Sequence, residues 1–354
     1  MSPRIAVSIG CPCGIGPEVS VVAAAQKGAR VLLVGDEGAL RAAARGRRIA
    51  GARLVRVEHV AHAWGLPPGR IAVWQPTGAL AARDRLPGRP TRASGVAQLA
   101  WVDAACDLVT RGEADAMTTG PVSKEVIASS GAPGAKAFLG HTEHLQRRLR
   151  AREVVMAFWS PALVTSLVTT HLPLARVPRA VTPAAVARST YWLAWLLAAL
   201  SKRSPRVVVA ALNPHAGEGG LLGGEERARI TPGIASARRR LAAARIEAQI
   251  DGPVPAESAF RLALAKRWDG VVAMYHDQAT IPMKLASFGD AVNVSLGLPI
   301  VRTSVDHGTG YDRAGIWEAD VRGMVAAIGL AARLARATSA ARERAGAAVA
   351  RNMK

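Results

Sequence analysis

The sequence predicts an α/β protein built on a mostly parallel sheet, and three observations carry that prediction. Short apolar runs alternate along the chain with amphipathic or alanine-rich segments. Several of those segments open with Ser or Thr, where a helix start needs a side-chain acceptor. The length, 354 residues, suits two domains or one large two-lobed unit, at roughly 150 residues per domain. Half of the residues are apolar and 20% are charged, a composition that folds and excludes wholesale disorder.

Ile5–Ile9 is the first apolar run and reads as a buried strand. Gly10–Glu18 follows as a glycine-rich turn entering a helix, with Pro17 near the first helical position. Gly14 and Gly16 would let a phosphate or nucleotide approach the backbone closely, although the spacing is not the G-x-G-x-x-G fingerprint. Cys11 and Cys13 in that turn read as small buried thiols. Val31–Val34 is the second strand and Ser94–Arg111 a long helix. Gly140-His141-Thr142-Glu143 opens a helix running through Leu145 to Arg150. Its free N–H groups, with His141 and Thr142 as further donors, form an anion site; the plainer alternative is capping by Thr142.

Val164–Val168, Val207–Leu212, Val271–Tyr275 and Ala291–Leu296 are the later strands, with helices at Thr182–Lys202, Thr231–Ile246 and Met324–Ala337. From about Ala331 the Ala/Arg-rich tail continues as helix with a frayed end. Asn213–Gly220 and His307–Gly315 are glycine-rich loops, the second placed near a ligand cleft. No internal repeat or linker-like segment interrupts the pattern.

Parallel sheets present ligands at the carboxyl ends of their strands. His171, His215 and His276 each follow a predicted strand. Three neutral imidazoles suit a borderline divalent cation and leave positions open for substrate. Their spacings, 44 and 61 residues, are not a local metal motif, so local hydrogen bonding explains them equally well. Lys284 and Arg302 can grip an anion, Arg bidentately and Lys as a point charge. Asn293 stands inside an apolar strand pattern, where an unpaired amide would be costly. A snorkelling Lys, a surface Arg and a satisfied Asn are the alternative.

The charge is +20, from 46 Lys+Arg against 26 Asp+Glu. A nucleic-acid-binding protein is the reading this suggests from another class, and it predicts salt-dependent retention on DNA or RNA. The distribution argues against it. The cations are 39 Arg and 7 Lys, scattered, with no run longer than Arg238-Arg239-Arg240 and only 4% aromatics for base stacking. Val271 to Gly315, where the polar chemistry concentrates, carries a net −1, whereas Arg41 to Arg56 holds six Arg and no acid. The surplus is therefore peripheral compositional bias, with some long-range attraction for anionic ligands. Three cysteines (Cys11, Cys13, Cys106) are too few for a disulfide framework and indicate a reducing compartment. Ile5–Ile9 is too short for a secretory signal, and Tyr191–Leu200 is half of the ~20 residues a bilayer crossing needs. The expectation is a soluble cytoplasmic protein without nucleic-acid or membrane partners.

Several motifs together resemble the 4-hydroxythreonine-4-phosphate dehydrogenase family of vitamin B6 biosynthesis. They are G-x-P-x-G-I-G-P-E at Gly10–Glu18, T-G-P-V-S-K-E at Thr119–Glu125 and G-H-T-E at Gly140–Glu143. T-T-H-L-P-L at Thr169–Leu174, L-N-P-H-A-G-E at Leu212–Glu218 and M-Y-H-D-Q at Met274–Gln278 follow in the family's order. The block Ala291–Thr309 is the most specific. The resemblance implies an isocitrate/isopropylmalate-dehydrogenase-like α/β/α fold, two lobes with a cleft between them. One lobe would comprise residues 1–135 and 305–354 on the NAD side; the other, 136–304, would bind metal and substrate and form a homodimer.

The activity implied is NAD-dependent oxidation of 4-phosphooxy-L-threonine, followed by loss of CO2. Metal ligands map onto His171, His215 and His276, the last supplied across the dimer interface, for a divalent Zn, Mg or Co ion. Substrate contacts map onto His141, Thr142, Lys284, Asn293 and Arg302. Gly14, Gly16, His307, Gly308, Thr309 and Asp312 fall on the NAD side, and Asp277, beside a metal ligand, is the candidate general base. The chain departs from the family where Cys11 replaces Asp, Cys13 replaces Ala, and Arg313 replaces Ile in H-G-T-A-F-D-I-A-G. Arg313 could favour NADP through the 2′-phosphate. A relative acting on another phosphorylated hydroxy acid or on a dihydrodiol dicarboxylate is the alternative within the family.

Overall fold

The structure, a computed structural model, describes residues 2–26, 30–201 and 203–352, with side chains as far as 340. Lys202, the expected end of one helix, lies outside the described residues. In chain order the strands are β1 (Arg4–Ser8), β2 (Arg30–Val34), β3 (Leu54–Arg56), β4 (Ile71–Trp74), β5 (Ala116–Thr119) and β6 (Val155–Trp159). β7 (Val164–Leu167), β8 (Arg206–Ala210), β9 (Gln249–Val254), β10 (Gly270–Ala273), β11 (Val292–Leu296) and β12 (Arg302–Val305) complete them. Packing divides the chain into two compact units, residues 1–151 with 298–354 and residues 152–297. By this division His141, Thr142 and Arg302 belong to the unit holding both termini, and the three histidines, Lys284 and Asn293 to the other.

In the first unit the strand order is β3-β4-β2-β1-β5-β12, parallel throughout. β1 sits centrally because four of its five residues are fully buried, as a parallel strand covered on both faces requires. Helix α1 (Gly16–Ala25) leaves the end of β1 with Pro17 in its first turn. Helix α2 (Arg92–Thr110) starts with a reciprocal cap between Thr91 and Ser94. Polar β5 and β12 are buried because their hydroxyls are satisfied. Thr118 Oγ1 and Thr303 Oγ1 lie 3.0 Å apart, and Thr303 donates to Ala327 O at 2.9 Å.

One part of the basic surplus proves structural. Arg47 Nη1 donates to Trp317 O at 2.7 Å and lies 3.4 Å from the buried Glu18 carboxylate. Glu18 in turn accepts from Ala319 N at 2.9 Å, pinning the chain before the last helix to α1. Arg41 and Arg56 share Glu37.

In the second unit the order is β11-β6-β7-β10-β8-β9. β7, β10, β8 and β9 are parallel, whereas β6 runs antiparallel to both of its neighbours. The β6–β7 hairpin closes through Ser160, whose Oγ accepts from Leu163 N at 3.0 Å. Helices α3 (His141–Arg148) in the first unit and α4 (Pro183–Leu200), α5 (Thr231–Ala243) and α6 (His276–Ser287) in the second follow. Thr182 caps α4 as expected. The core here gathers Phe158, Leu167, Val208, Phe260, Val271 and Met283. Helix α7 (Arg322–Asn352) is the last element of the first unit. Among the described residues no helix is long and apolar enough to cross a membrane.

Candidate functional site

The three predicted histidines lie beyond the carboxyl ends of β7, β8 and β10, neighbouring parallel strands of the second unit. Two polar side chains stitch those ends together. Thr169 Oγ1 donates to Met274 O at 2.8 Å. Gln278 Oε1 accepts from Met274 N at 2.6 Å while its Nε2 donates to Ala211 O at 2.9 Å. His171 and His276 end up side by side, ring centroids 5.5 Å apart, within one chain. His276 Nδ1 donates to Asp277 Oδ1 at 2.7 Å, the contact by which a carboxylate orients a metal-binding imidazole and turns its Nε2 outward.

Of the three histidines expected to converge, His171 and His276 are in ring contact. Among the described residues no group of three His, Cys, Asp or Glu side chains is gathered for metal binding. His215 lies on a separate turn, in which His215 to Gly219 all have positive φ. Such a conformation costs about 1–2 kcal/mol for each non-glycine residue. The donor chemistry nevertheless fits a borderline divalent ion: imidazoles at strand ends, with a carboxylate behind one of them.

Lys284 is exposed in the last turn of α6. Asn293 occupies β11 opposite Phe158, and its buried Oδ1 has no hydrogen-bond partner among the described residues. A buried acceptor left in that state costs its desolvation until a donor reaches it. A cavity of about 250 Å³ opens at the opposite, amino ends of β7, β8 and β10, between Trp159, Trp268 and Lys266. Its cations are already engaged: Lys266 Nζ donates to Pro161 O and Ala162 O, and Arg203 pairs with Asp269.

The first unit gathers a cluster of cationic and imidazole side chains. Arg302 opens β12 opposite Met117 and is only 2% exposed, so it is not the surface Arg of the alternative reading. Its Nη2 donates to Thr119 Oγ1 at 2.6 Å. Burial pulls the guanidinium down to about 9, against the attraction of Glu143. The N-cap of α3 is Gly140, which offers no side chain, so Thr142 is not the cap. Lys124, in the T-G-P-V-S-K-E motif but not among the residues singled out from sequence, reaches this helix start: a Cβ on Gly140 would lie 3.6 Å from its Nζ.

His141 packs edge-on against Phe138, centroids 5.9 Å apart, and its buried Nε2 has no partner among the described residues. Burial, then the charges of Arg302, His144 and Lys124, holds its pKa well below 6.5. It is a neutral imidazole. The unfolded chain takes up a proton at His141 near pH 6.5 that the folded chain refuses, so this residue removes stability as pH falls below that value. His141→Gln should therefore lose less Tm than wild type between about pH 7 and pH 5, by a few degrees. Equal losses in thermal melts would refute that assignment.

The two glycine-rich loops meet each other. Ile15 N donates to Thr309 O at 2.9 Å. A Cβ on Gly14 would sit 2.4 Å from Thr309 O, and one on Gly16 would sit 2.2 Å from Ile9 O. Close approach by the chain's own backbone thus accounts for both glycines. His307, Gly308 and Asp312 are exposed, with open space around Gly308. Arg313 is exposed and lies 3.9 Å from Glu318. Cys11, one of the departures, has its Sγ 3.3 Å from Tyr311 Oη. Hydrogen bonds from Cys13 and Tyr311 bring the Cys11 thiol to about 7 despite its burial.

Comparison with known proteins accords with this layout. The profile of the family described as "Pyridoxal phosphate biosynthetic protein PdxA" matches residues 27–331. The 4-hydroxythreonine-4-phosphate dehydrogenase of Geobacter metallireducens is 43% identical over 342 residues, covering 94% of this chain and 96% of that protein. The crystal structure of 4-hydroxythreonine-4-phosphate dehydrogenase from Klebsiella pneumoniae superposes with a TM-score of 0.78 at 30% identity, covering 94% of this chain and all of that one. A terephthalate 1,2-cis-dihydrodiol dehydrogenase from Burkholderia xenovorans LB400 reaches a TM-score of 0.66 at 29% identity, covering 94% and 98%. The α/β fold shared with these dehydrogenases is related to the isocitrate dehydrogenase-like class. The chain belongs to the PdxA family of pyridoxal phosphate biosynthetic proteins.

Proposed function

We propose that the protein oxidises 4-phosphooxy-L-threonine with NAD and releases CO2, yielding 3-amino-2-oxopropyl phosphate for pyridoxine 5′-phosphate biosynthesis. The observation that carries this reading is the buried Arg302 beside neutral His141, Lys124 and the start of α3. A buried guanidinium next to a helix N-terminus suits a phosphate group. Thr142 adds a hydroxyl there; Lys284 and Asn293, in the second unit, are the further substrate contacts that membership of the family implies. His171, His215 and His276 would hold a divalent cation, which polarises the substrate hydroxyl and stabilises the negative charge left by decarboxylation. Asp277 orients His276 rather than acting as the base. His307, Gly308, Thr309 and Asp312 would help to hold the adenosine side of the dinucleotide, which would supply the hydride acceptor when bound.

The test is NADH formation from 4-phosphooxy-L-threonine with and without chelator. Folded, metal-loaded protein that forms none would overturn the assignment. The likeness to the terephthalate dihydrodiol dehydrogenase supports a dicarboxylate diol as the second reading, and turnover of that substrate alone would establish it. Running the assay with NADP, on wild type and Arg313→Ala, decides whether Arg313 contacts a 2′-phosphate; an unchanged cofactor preference means it does not.

We also infer a homodimer formed through α6. Ile281 and Leu285, on the helix that begins with His276, and Phe288, just past its end, are 59, 84 and 78% exposed, a patch that association would cover. Leu285→Arg should halve the mass found by sedimentation, and an unchanged mass would place the interface elsewhere. The three buried free thiols support a cytoplasmic setting.

A further inference from the structure

The turn that carries His215 is held from beneath by one buried carboxylate. His215, Ala216, Gly217, Glu218 and Gly219 have φ of 50, 54, 82, 44 and 68° in succession. Three of them are not glycine, and two of these, Ala216 and Glu218, have side chains that do not favour the left-handed region. A run like this persists only where its surroundings over-determine it.

Glu226 supplies that constraint. It is 6% exposed. Its Oε1 accepts from the backbone N–H groups of Leu212 at 2.9 Å and Asn213 at 2.8 Å, and its Oε2 accepts from Asn213 Nδ2 at 3.0 Å. The same amide donates to Glu225 Oε2 at 2.9 Å. Gly217 closes over the carboxylate so tightly that a Cβ would lie 2.9 Å from Glu226 Oε2 and 3.1 Å from Gly223 O. Glu226 is itself anchored, because it begins the wide turn Glu226–Ile230 leading into α5. Arg229 ties that turn to the carbonyls of Pro178 and Val181.

We propose that Glu226 is a positioning residue for His215: by accepting these three hydrogen bonds it keeps the turn left-handed and the imidazole in place. This rests on the reading of His215 as a metal ligand. Partners one bond removed from a ligand typically change metal affinity by about 10–100-fold. Glu226→Gln keeps the shape but sets an amide donor against Asn213 Nδ2, replacing an attraction by a clash of donors.

The experiment uses the full-length, metal-free chain with two readouts: amide hydrogen exchange across residues 212–222 and calorimetric binding of Co2+. In Glu226→Gln, exchange in that segment should be about tenfold faster or more while the remaining strands keep wild-type rates. The Co2+ Kd should weaken about 10–100-fold. Should that variant fail to fold, Asn213→Ala, which removes the side-chain bonds to Glu225 and Glu226 but keeps the backbone bonds to Glu226, should move both readouts in the same direction by less. Wild-type exchange or wild-type Co2+ affinity in the folded variant overturns the proposal. His215→Ala, measured alongside, keeps the two readings apart. Undiminished Co2+ binding there would remove the metal site assigned above, and the exchange rates would still decide whether Glu226 holds the turn.

Discussion

His215→Ala should lower metal-dependent NADH formation by about 10²–10⁴-fold, the rate equivalent of the several kcal/mol that a bound cation contributes to a developing charge. The prediction separates cleanly from folding. His215 is exposed and makes its turn through the backbone, so truncation should change stability by no more than about 0.5 kcal/mol. Alanine also already occupies the same left-handed region at the next position, Ala216, with φ 54°. A variant with wild-type thermal stability and collapsed activity would support His215 as a ligand. Activity within a few-fold of wild type, at saturating substrate and limiting metal, would take His215 out of the site.

The second large effect is expected at Arg302. Arg302→Met keeps an apolar stem of similar length and removes the charge; because it leaves Thr119 Oγ1 and Glu143 without their cationic partner, its thermal melt is compared with wild type before activity is read. The loss should appear in kcat/KM for a phosphorylated substrate, about 30- to 4,000-fold, corresponding to the 2–5 kcal/mol lost when one partner of a buried charge pair is truncated. The discriminating comparison is with unphosphorylated 4-hydroxy-L-threonine. If Arg302 binds the phosphate, the variant should discriminate far less between the two substrates. An unchanged ratio would show that Arg302 only braces Thr119. Arg302→Lys should rescue little, because a point charge cannot reproduce the planar fork in a buried setting.

The strands legible in the sequence were those whose burial comes from their own residues. β1, β2, β7, β8, β10 and β11 each appear within two residues of the expected apolar runs. β5 and β12 were hidden because Ala-Met-Thr-Thr and Arg-Thr-Ser-Val become core only through partners far along the chain. Thr118 meets Thr303 185 positions away. β6 is as apolar as the strands that were read, and nothing in its composition announces that it runs antiparallel. For the same reason Thr169, Gln278 and Glu226 escaped notice: each looks like an ordinary polar residue until its acceptor or donor on another strand end is seen. Lys124 was visible within a motif, but its nearness to Gly140 was not.

Sequence alone determined the family, the alternation of strand and helix, and the placement of histidines after strands, because periodicity and motif order are local properties of the chain. Tertiary structure decided which polar residues are buried and which are held in place. Arg302 became a buried cation, Gly14 and Gly16 became packing glycines, and His171 came to lie beside His276. The physical reason is that solvation and hydrogen-bond partnership are set by neighbours in space, and those neighbours lie tens to hundreds of residues apart in the chain.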